Sequence, residues 1–144
     1  MAQDITSANA ALIISCPGVF QAQQIQGFAS DDVYAVDPLE IGQTVMGVDG
    51  QLSAGFVFNP VSVKYSLQAG SPSVTLFDTL YQQSLQNEQV YWLQGSIRLF
   101  STNNKYTLTN GVLTNYPPVP DAGKILKPRV FTVVWERITP APTI

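Results

Sequence analysis

Residues 61–68 read VSVKYSLQ. Val61, Val63, Tyr65 and Leu67 alternate with Ser62, Lys64, Ser66 and Gln68. A period of two places one set on each face of an extended chain, so this stretch is a strand with an apolar and a polar side. Gly70 ends it. In the SPS stretch that follows, Ser71 can cap a helix and Pro72 suits a first helical position. Leu76, Phe77, Leu80, Tyr81 and Leu85 then recur at spacings of mostly three and four, with Thr79, Gln82, Gln83 and Gln86 on the other side. That predicts one amphipathic helix of about four turns lying on a sheet, with Asn87 near its end.

Working outward, residues 11–16 (ALIISC) and 19–25 form strands around a Pro17-Gly18 turn. A break at Gly27 and Ser30 leads to a short strand over 33–36, stopped by Asp37-Pro38. Residues 43–48 form another strand, and Asp49-Gly50 is a hairpin-type turn. Residues 52–58 could pair with it, although Gly55, Asn59 and Pro60 give this stretch the character of a long, partly ordered loop. Beyond the helix, residues 90–93 and 96–101 are strand-like. Asn103-Asn104 turns the chain back so that 106–109 pairs with 96–101. Asn110-Gly111 reads as a second tight turn, and 116–122 (YPPVPDA) as an irregular connection. Residues 130–137 (VFTVVWER) form the last strand. There is no alternation of strands and helices, so the fold class is mainly β, an antiparallel sandwich or barrel with one flanking helix.

The chain has 144 residues, which suits one domain. Residues 1–10 read as an arm and 138–144 as a mobile tail. Apolar residues make up 45%, too many for a disordered chain, yet no run approaches the ~20 needed to span a membrane as a helix. The start has no basic stretch followed by an apolar one, so no secretory signal is expected.

Histidine is absent, which removes the Ser-His-Asp triad, the Cys-His pair and the HExxH zinc site together. A single cysteine, Cys16, excludes an internal disulfide and any CxxC motif; it reads as a small buried hydrophobe. Asp31, Asp32, Asp37 and Glu40 are the one carboxylate cluster. They read as a solvated loop rather than a hydrolase pair, since nothing near them supplies a substrate platform. Trp92 and Trp135 sit in strand-like runs and read as core. No glycine run has phosphate-binding spacing. No catalytic, metal or cofactor residues are expected, and the chain is not expected to be an enzyme.

Only 12% of residues are charged, while Gln, Ser and Thr supply 35 residues. An ordinary soluble domain carries about 25% charge. A surface kept polar by neutral groups is easily covered, because few ions need desolvating. The composition points to a chain covered largely by copies of itself. The pI of about 4.6 argues against a dedicated nucleic-acid binder. Charge is also uneven. Residues 1–63 hold six acids and no Lys or Arg, whereas 64–144 hold all seven bases and four acids. Such a split suits a head-to-tail contact between copies.

The order of these signals resembles the tail tube proteins of contractile-tailed bacteriophages. A Q-x-I-x-G-F-A element (residues 23–29), a G-V-D-G turn (47–50), the alternating strand, the S-P-S helix start (71–73), Gly123-Lys124 and the Trp135 strand carry the likeness from Leu12 to Trp135. The proline cluster at 116–120 has no counterpart. The resemblance implies hexameric rings joined sheet to sheet and stacked into a virion tube, assembled in the host cytoplasm. Its partners would be copies of itself, a tail sheath protein, and baseplate and tail terminator proteins. DNA would pass through without specific binding, and no membrane is involved. Lumen candidates are then Asp31, Asp32, Asp37, Glu40, Ser62, Ser66 and Gln68. The stretch 46–59 becomes a ring-stacking loop, with Met46, Leu52, Phe56 and Phe58 as candidates. The alternative is a tail-tip or fibre adhesin domain with an immunoglobulin-like sandwich, using Tyr34, Tyr91 and Tyr116 as anchors.

Overall fold

The computed structural model describes residues 10–25, 34–99 and 104–142. Nine strands and one helix follow in chain order: β1 (Ala10–Cys16), β2 (Phe20–Gln24), β3 (Tyr34–Val36), β4 (Gly42–Met46), β5 (Leu52–Phe56), β6 (Val61–Leu67), α1 (Val74–Asn87), β7 (Leu93–Leu99), β8 (Asn104–Asn115) and β9 (Arg129–Pro142). Seven strands form one antiparallel sheet in the order β2-β1-β7-β8-β9-β6-β3, and β4 and β5 form a separate two-stranded hairpin. The fold is mainly β with one helix, as expected. The described strands do not close into a barrel: β2 and β3 are the sheet's two ends.

β6 follows its sequence pattern. Val61, Val63, Tyr65 and Leu67 are buried, while Ser62 and Ser66 are half-buried and Lys64 exposed on the opposite face. β6 pairs with β9 from Val61↔Trp135 to Leu67↔Arg129, so the two apolar rows run side by side. Leu12, Ile14 and Cys16 of β1, Leu93 and Ile97 of β7 and Leu108 of β8 join the same core from the other end of the sheet. One sheet can do this only by folding over on itself.

The fold line runs through β8 and β9. In β8 the core-facing residues are Tyr106 and Leu108, then Gly111 and Leu113; in β9 they are Phe131, Val133 and Trp135, then Ile138. Both strands slip phase by one residue, at Asn110 and Glu136, which are neighbours across the ladder. Asn110 is left-handed (φ 49°), a conformation that bulges favour and that Asn tolerates. The Gln94 amide donates to Asn110 Oδ1 at 2.6 Å and accepts the Asn110 backbone N–H at 3.2 Å; Asn110 Nδ2 donates to Glu136 Oε2 at 2.5 Å. Asn110-Gly111 is therefore a sealed bulge inside a continuous strand rather than a turn.

The helix begins two residues after Pro72. Ser71 Oγ accepts the Ser73 N–H at 3.2 Å and so closes the turn leading into it. Of the expected stripe, Phe77 and Leu80 are buried and Leu76 is half-buried against the core, Val74 joins them, and Tyr81 and Leu85 are exposed. Phe77 stacks on Phe131 with ring centroids 4.5 Å apart. Trp135 is core, but Trp92 is 56% exposed, because the chain enters β7 only at Leu93. β9 continues through Ile138 to Pro142, where the sequence suggested a loose tail. Past Trp135 it has β8 on one side and no β6 on the other, and such a one-sided stretch tolerates Pro140 and Pro142, which cannot donate.

Candidate functional site

Three surfaces hold the residues that the sequence singled out. The first is the polar face of the β3-β6-β9 end of the sheet. Ala35 lies opposite Lys64, and Lys64 opposite Thr132; Ser62 faces Val134 and Ser66 faces Val130. The Asp37 N–H donates to the Ser62 carbonyl at 3.0 Å, so Asp37 extends the ladder at Ser62. Asp37, Ser62 and Ser66 are thus brought onto one face with Lys64 among them, and exposed Gln68 follows the strand's end. Glu40 stands apart, in the segment leading to the hairpin, where its backbone carbonyl accepts the Asn59 amide at 3.0 Å. Asp31 and Asp32 lie outside the described residues. The face is built of Ser, Thr, Val and Ala, with Lys64 and Asp37 as its charges among the residues named here.

The second surface is the β4–β5 hairpin. Gly42↔Phe56 to Met46↔Leu52 set its register, and Gly47 N–H to the Gln51 carbonyl at 2.8 Å closes its tip. Gly50 has φ 84°, which an Asp-Gly turn supplies without strain. Every residue of both strands is exposed. Val45, Met46, Leu52, Phe56 and Phe58 are 61–76% exposed. Residues 52–56, read as able to pair with the preceding strand but loop-like in character, do form that pair, in a hairpin with two wet faces. The lack of a period is why they read as loop-like: with no core on either side, nothing selects an alternation. A lone two-stranded ribbon is marginal in water, and large apolar groups on it are unusual for a surface meant to stay wet. At its base Phe56 and Phe58 meet edge to face at 4.9 Å, and the Arg137 guanidinium lies 5.5 Å above the Phe58 ring. Leu39, Ile41, Phe58 and Ile138 line a cleft of about 530 Å³ there.

The third surface is the far end of β6, where residues 116–128 cross from β8 to β9. Arg129, 6% exposed, anchors it: its guanidinium donates to Asp78 Oδ1 at 3.1 Å and to the Pro117 carbonyl at 2.6 Å, and sits over the Tyr116 and Phe131 rings. The Tyr116 hydroxyl donates to the same Asp78 oxygen. Burial, then the Asp78 hydrogen bond, raises the Tyr116 phenol above its ordinary value. Tyr81 stacks on Tyr116 at 4.6 Å, and Tyr81, Tyr91, Tyr116 and Pro118 bound a cavity of about 340 Å³. The sequence offered Tyr91 and Tyr116 as adhesive anchors in loops. Both are half-buried against the core, as is Tyr34. Trp92, which sequence reasoning had placed in the core, is exposed.

No group of three or more His, Cys, Asp or Glu residues that could hold a metal occurs among the described residues. Cys16 is buried, and burial raises its thiol above the usual value. No helix among these residues is long and apolar enough to cross a membrane.

Comparison with known proteins adds two findings. The model of the family described as tail fiber protein gp32 matches residues 3–139. Among solved structures, a chain of the anti-feeding prophage baseplate is similar, with 14% identity over 99% of each chain and a TM-score of 0.63. A chain of the anti-feeding prophage tube-terminating cap shares 13% identity over 99% of this chain and 93% of that one, at 0.58. A chain of an extracellular contractile injection system, from its extended sheath-tube complex, shares 14% identity over 91% and 88%, at 0.56. At such identities the likeness is one of fold. No curated protein matches.

Proposed function

The chain belongs to the tail fiber protein gp32 family, and from that premise we propose that it is the ring-forming subunit of the inner tail tube of a contractile phage particle. The observation that carries this reading is the two-way coverage of the fold match: 99% of this chain against 99% of a chain in a baseplate structure described as 6-fold symmetrised. The likeness of fold extends over nearly the whole chain.

Three features of the chain support it. Few charges oppose association. The sheet ends in β2, whose residues Phe20–Gln24 carry no charge or proline to guard the edge. The β4–β5 hairpin, with Met46, Leu52, Phe56 and Phe58, exposes apolar groups that a neighbouring ring would cover. In this reading Asp37, Ser62, Ser66 and Gln68 line the channel, with Asp31, Asp32 and Glu40 near them. A wall with few cations lets a duplex pass, since each phosphate-neutralising Lys or Arg adds salt-dependent affinity. The sheath, baseplate and terminator proteins are its neighbours, and its place is the virion. The role is structural, not catalytic.

The family's description favours a second reading, a fibre or tail-tip module that binds a receptor and does not polymerise. Exposed Trp92 would be its anchor, flanked by Val90. Sedimentation and negative-stain microscopy of purified protein separate the two. Rings or tubes are expected; a 15.7 kDa species that stays monomeric on concentration would overturn the tube reading and leave the fibre module.

A further inference from the structure

Asn110-Gly111 is the one place in the chain where glycine follows asparagine; after every other asparagine the next residue carries a β-carbon. The pair has a chemistry of its own. A glycine nitrogen, with no side chain beside it, can reach the carbonyl carbon of the preceding Asn side chain. In water the Gly111 N–H loses its proton to hydroxide and the nitrogen attacks Asn110 Cγ. The N–Cγ bond forms, the Cγ–Nδ2 bond breaks, and the amide nitrogen leaves as ammonia. Water then opens the cyclic imide at either carbonyl, leaving aspartate or isoaspartate at position 110. Water is the only co-reactant, and nothing is oxidised or reduced.

The fold blocks this route at each reacting group. Gly111 is buried under the Trp135 indole, between Leu93 of β7 and Trp135 of β9, its ladder neighbours, which screens its nitrogen from hydroxide. The Asn110 side chain is held at both ends: Oδ1 accepts the Gln94 amide at 2.6 Å and Nδ2 donates to Glu136 Oε2 at 2.5 Å. Turning Cγ onto the Gly111 nitrogen breaks both bonds. Gln94 is fixed in turn, because its Oε1 accepts the Asn110 N–H at 3.2 Å. Glu136 gives the departing nitrogen an acceptor, not the proton it needs to leave as ammonia. None of this survives unfolding, since Gln94 and Glu136 lie 16 and 26 residues away along the chain. The products do not fit the bulge either. Aspartate at 110 offers Glu136 only acceptor oxygens and sets two carboxylates side by side. Isoaspartate adds a main-chain carbon inside β8, which is paired on both sides by β7 and β9, so it disturbs two registers at once. We propose that Asn110 is a modification site, a deamidation site that unfolding opens and folding closes, and that a chain deamidated there cannot rebuild the bulge. Chains that stay unfolded are then lost to the folded pool irreversibly, whatever the folded chains assemble into.

The test incubates the parent protein at mildly alkaline pH, folded in buffer and unfolded in guanidinium chloride. Trypsin then releases peptide 106–124, whose conversion from amide to acid is followed by mass, and fragmentation separates Asn110 from Asn115 in the same peptide. Conversion at Asn110 is expected to be at least about tenfold slower in the folded chain, where it must wait for local opening. Equal rates in the two states would overturn the protection, and no conversion at Asn110 in the unfolded chain would overturn the site. Glu136→Ala changes an exposed side chain and should speed the reaction in the folded state while circular dichroism shows the fold intact; an unchanged rate would overturn the role of the Glu136 contact. Asn110→Asp, which reproduces one product directly, should refold from denaturant in lower yield than the parent. Refolding with the parent's yield would overturn the claim that the deamidated chain is lost.

Discussion

The indole N–H of Trp135 donates to the Tyr65 hydroxyl at 3.1 Å, and both side chains are fully buried. Each is the other's polar partner in an apolar core, across the β6–β9 pair that joins the two largest rows of core residues. Burial raises the Tyr65 phenol well above its ordinary value, although the bond from Trp135 acts the other way. The folded chain therefore holds Tyr65 neutral at a pH where the unfolded chain, near its ordinary ~10, has begun to ionise. The stability tied to neutral Tyr65 is present in full below about pH 10 and is lost as pH rises from there toward the folded value. Urea midpoints between pH 8 and 11 should fall steeply above pH 10. Tyr65→Phe should flatten that fall, and should cost about 1–3 kcal/mol at neutral pH because the indole donor is left buried without an acceptor. An unchanged alkaline slope in the variant would place the titrating group elsewhere, with Tyr34 and Tyr116, both also raised by burial, next in line.

Gly111 makes room for the same indole. A β-carbon there would lie 2.5 Å from the Trp135 ring, and neither the ring nor the strand can give way in a packed core. Gly111→Ala is expected to destabilise the fold by about 1–3 kcal/mol, the usual cost of overpacking. Gly55→Ala, on the open hairpin with no atom within 4 Å, should shift the urea midpoint little. Equal effects at the two positions would show that strand glycines matter here through backbone freedom alone.

At the other end of β6, Asp78 accepts from both Arg129 and Tyr116. Arg129 is almost fully buried while Asp78 is 37% exposed, so solvent weakens the pair from the Asp78 side only. Asp78→Ala should cost about 1.5–3 kcal/mol, the range for hydrogen bonds to charged groups, and Tyr116→Phe about 0.5–1.5 kcal/mol. Thermal melting ranks the two. Tyr116→Phe keeps the ring stacked on Tyr81, so a larger loss from it than from Asp78→Ala would mean that the phenol hydroxyl, rather than the Arg129–Asp78 pair, holds the crossing in place.

What the sequence disclosed follows what the core enforces. β6 was legible because a core on one face and solvent on the other write a period of two into it, and α1 because one stripe is buried. The errors fall where that contrast fails. Trp92 precedes its strand and has no row to join. Asn110-Gly111 carries the positive-φ chemistry of a turn and of a bulge alike, and only the partners Gln94 and Glu136, 16 and 26 residues away, decide between them. Pro140 and Pro142 argued against a strand because the one-sided edge of β9 is not written locally. The hairpin's turn and the possible pairing of its strands were legible, but with two wet faces no alternation marked residues 52–56 as a regular strand.

Phe56 and Phe58 give the hairpin its apolar base while contributing nothing to the buried core. Replacing both with Ser should leave far-UV circular dichroism and the urea midpoint within about 0.5 kcal/mol of the parent, as for surface changes generally. Burying a Phe at a contact is worth roughly 1.5–3 kcal/mol, so the double variant should stop at single rings in negative stain. Tubes of ordinary length from this variant would remove the hairpin from the stacking contact.

The polar face of β6 is the remaining proposed surface, and the test there is electrostatic. Ser62 and Ser66 flank Lys64 on this face, half-buried and opposite Val134 and Val130 of β9. Ser62→Lys with Ser66→Lys adds two positive charges per subunit without touching the core. If the face lines a channel, each ring multiplies these charges around a duplex, and every phosphate they neutralise releases counterions, with log affinity falling by about 0.9 per contact against log salt. Tubes of the variant should then form normally, retain duplex DNA at low ionic strength and release it as salt is raised, while the parent tubes retain none at either salt. The other two placements leave different marks. A seam between subunits would bury the new charges against a neighbour, and assembly itself would fail. An outward position would leave assembly and DNA passage untouched and weaken the sheath contact. Normal tubes that do not hold DNA at low salt would therefore take the β6 face out of the lumen while leaving the tube in place.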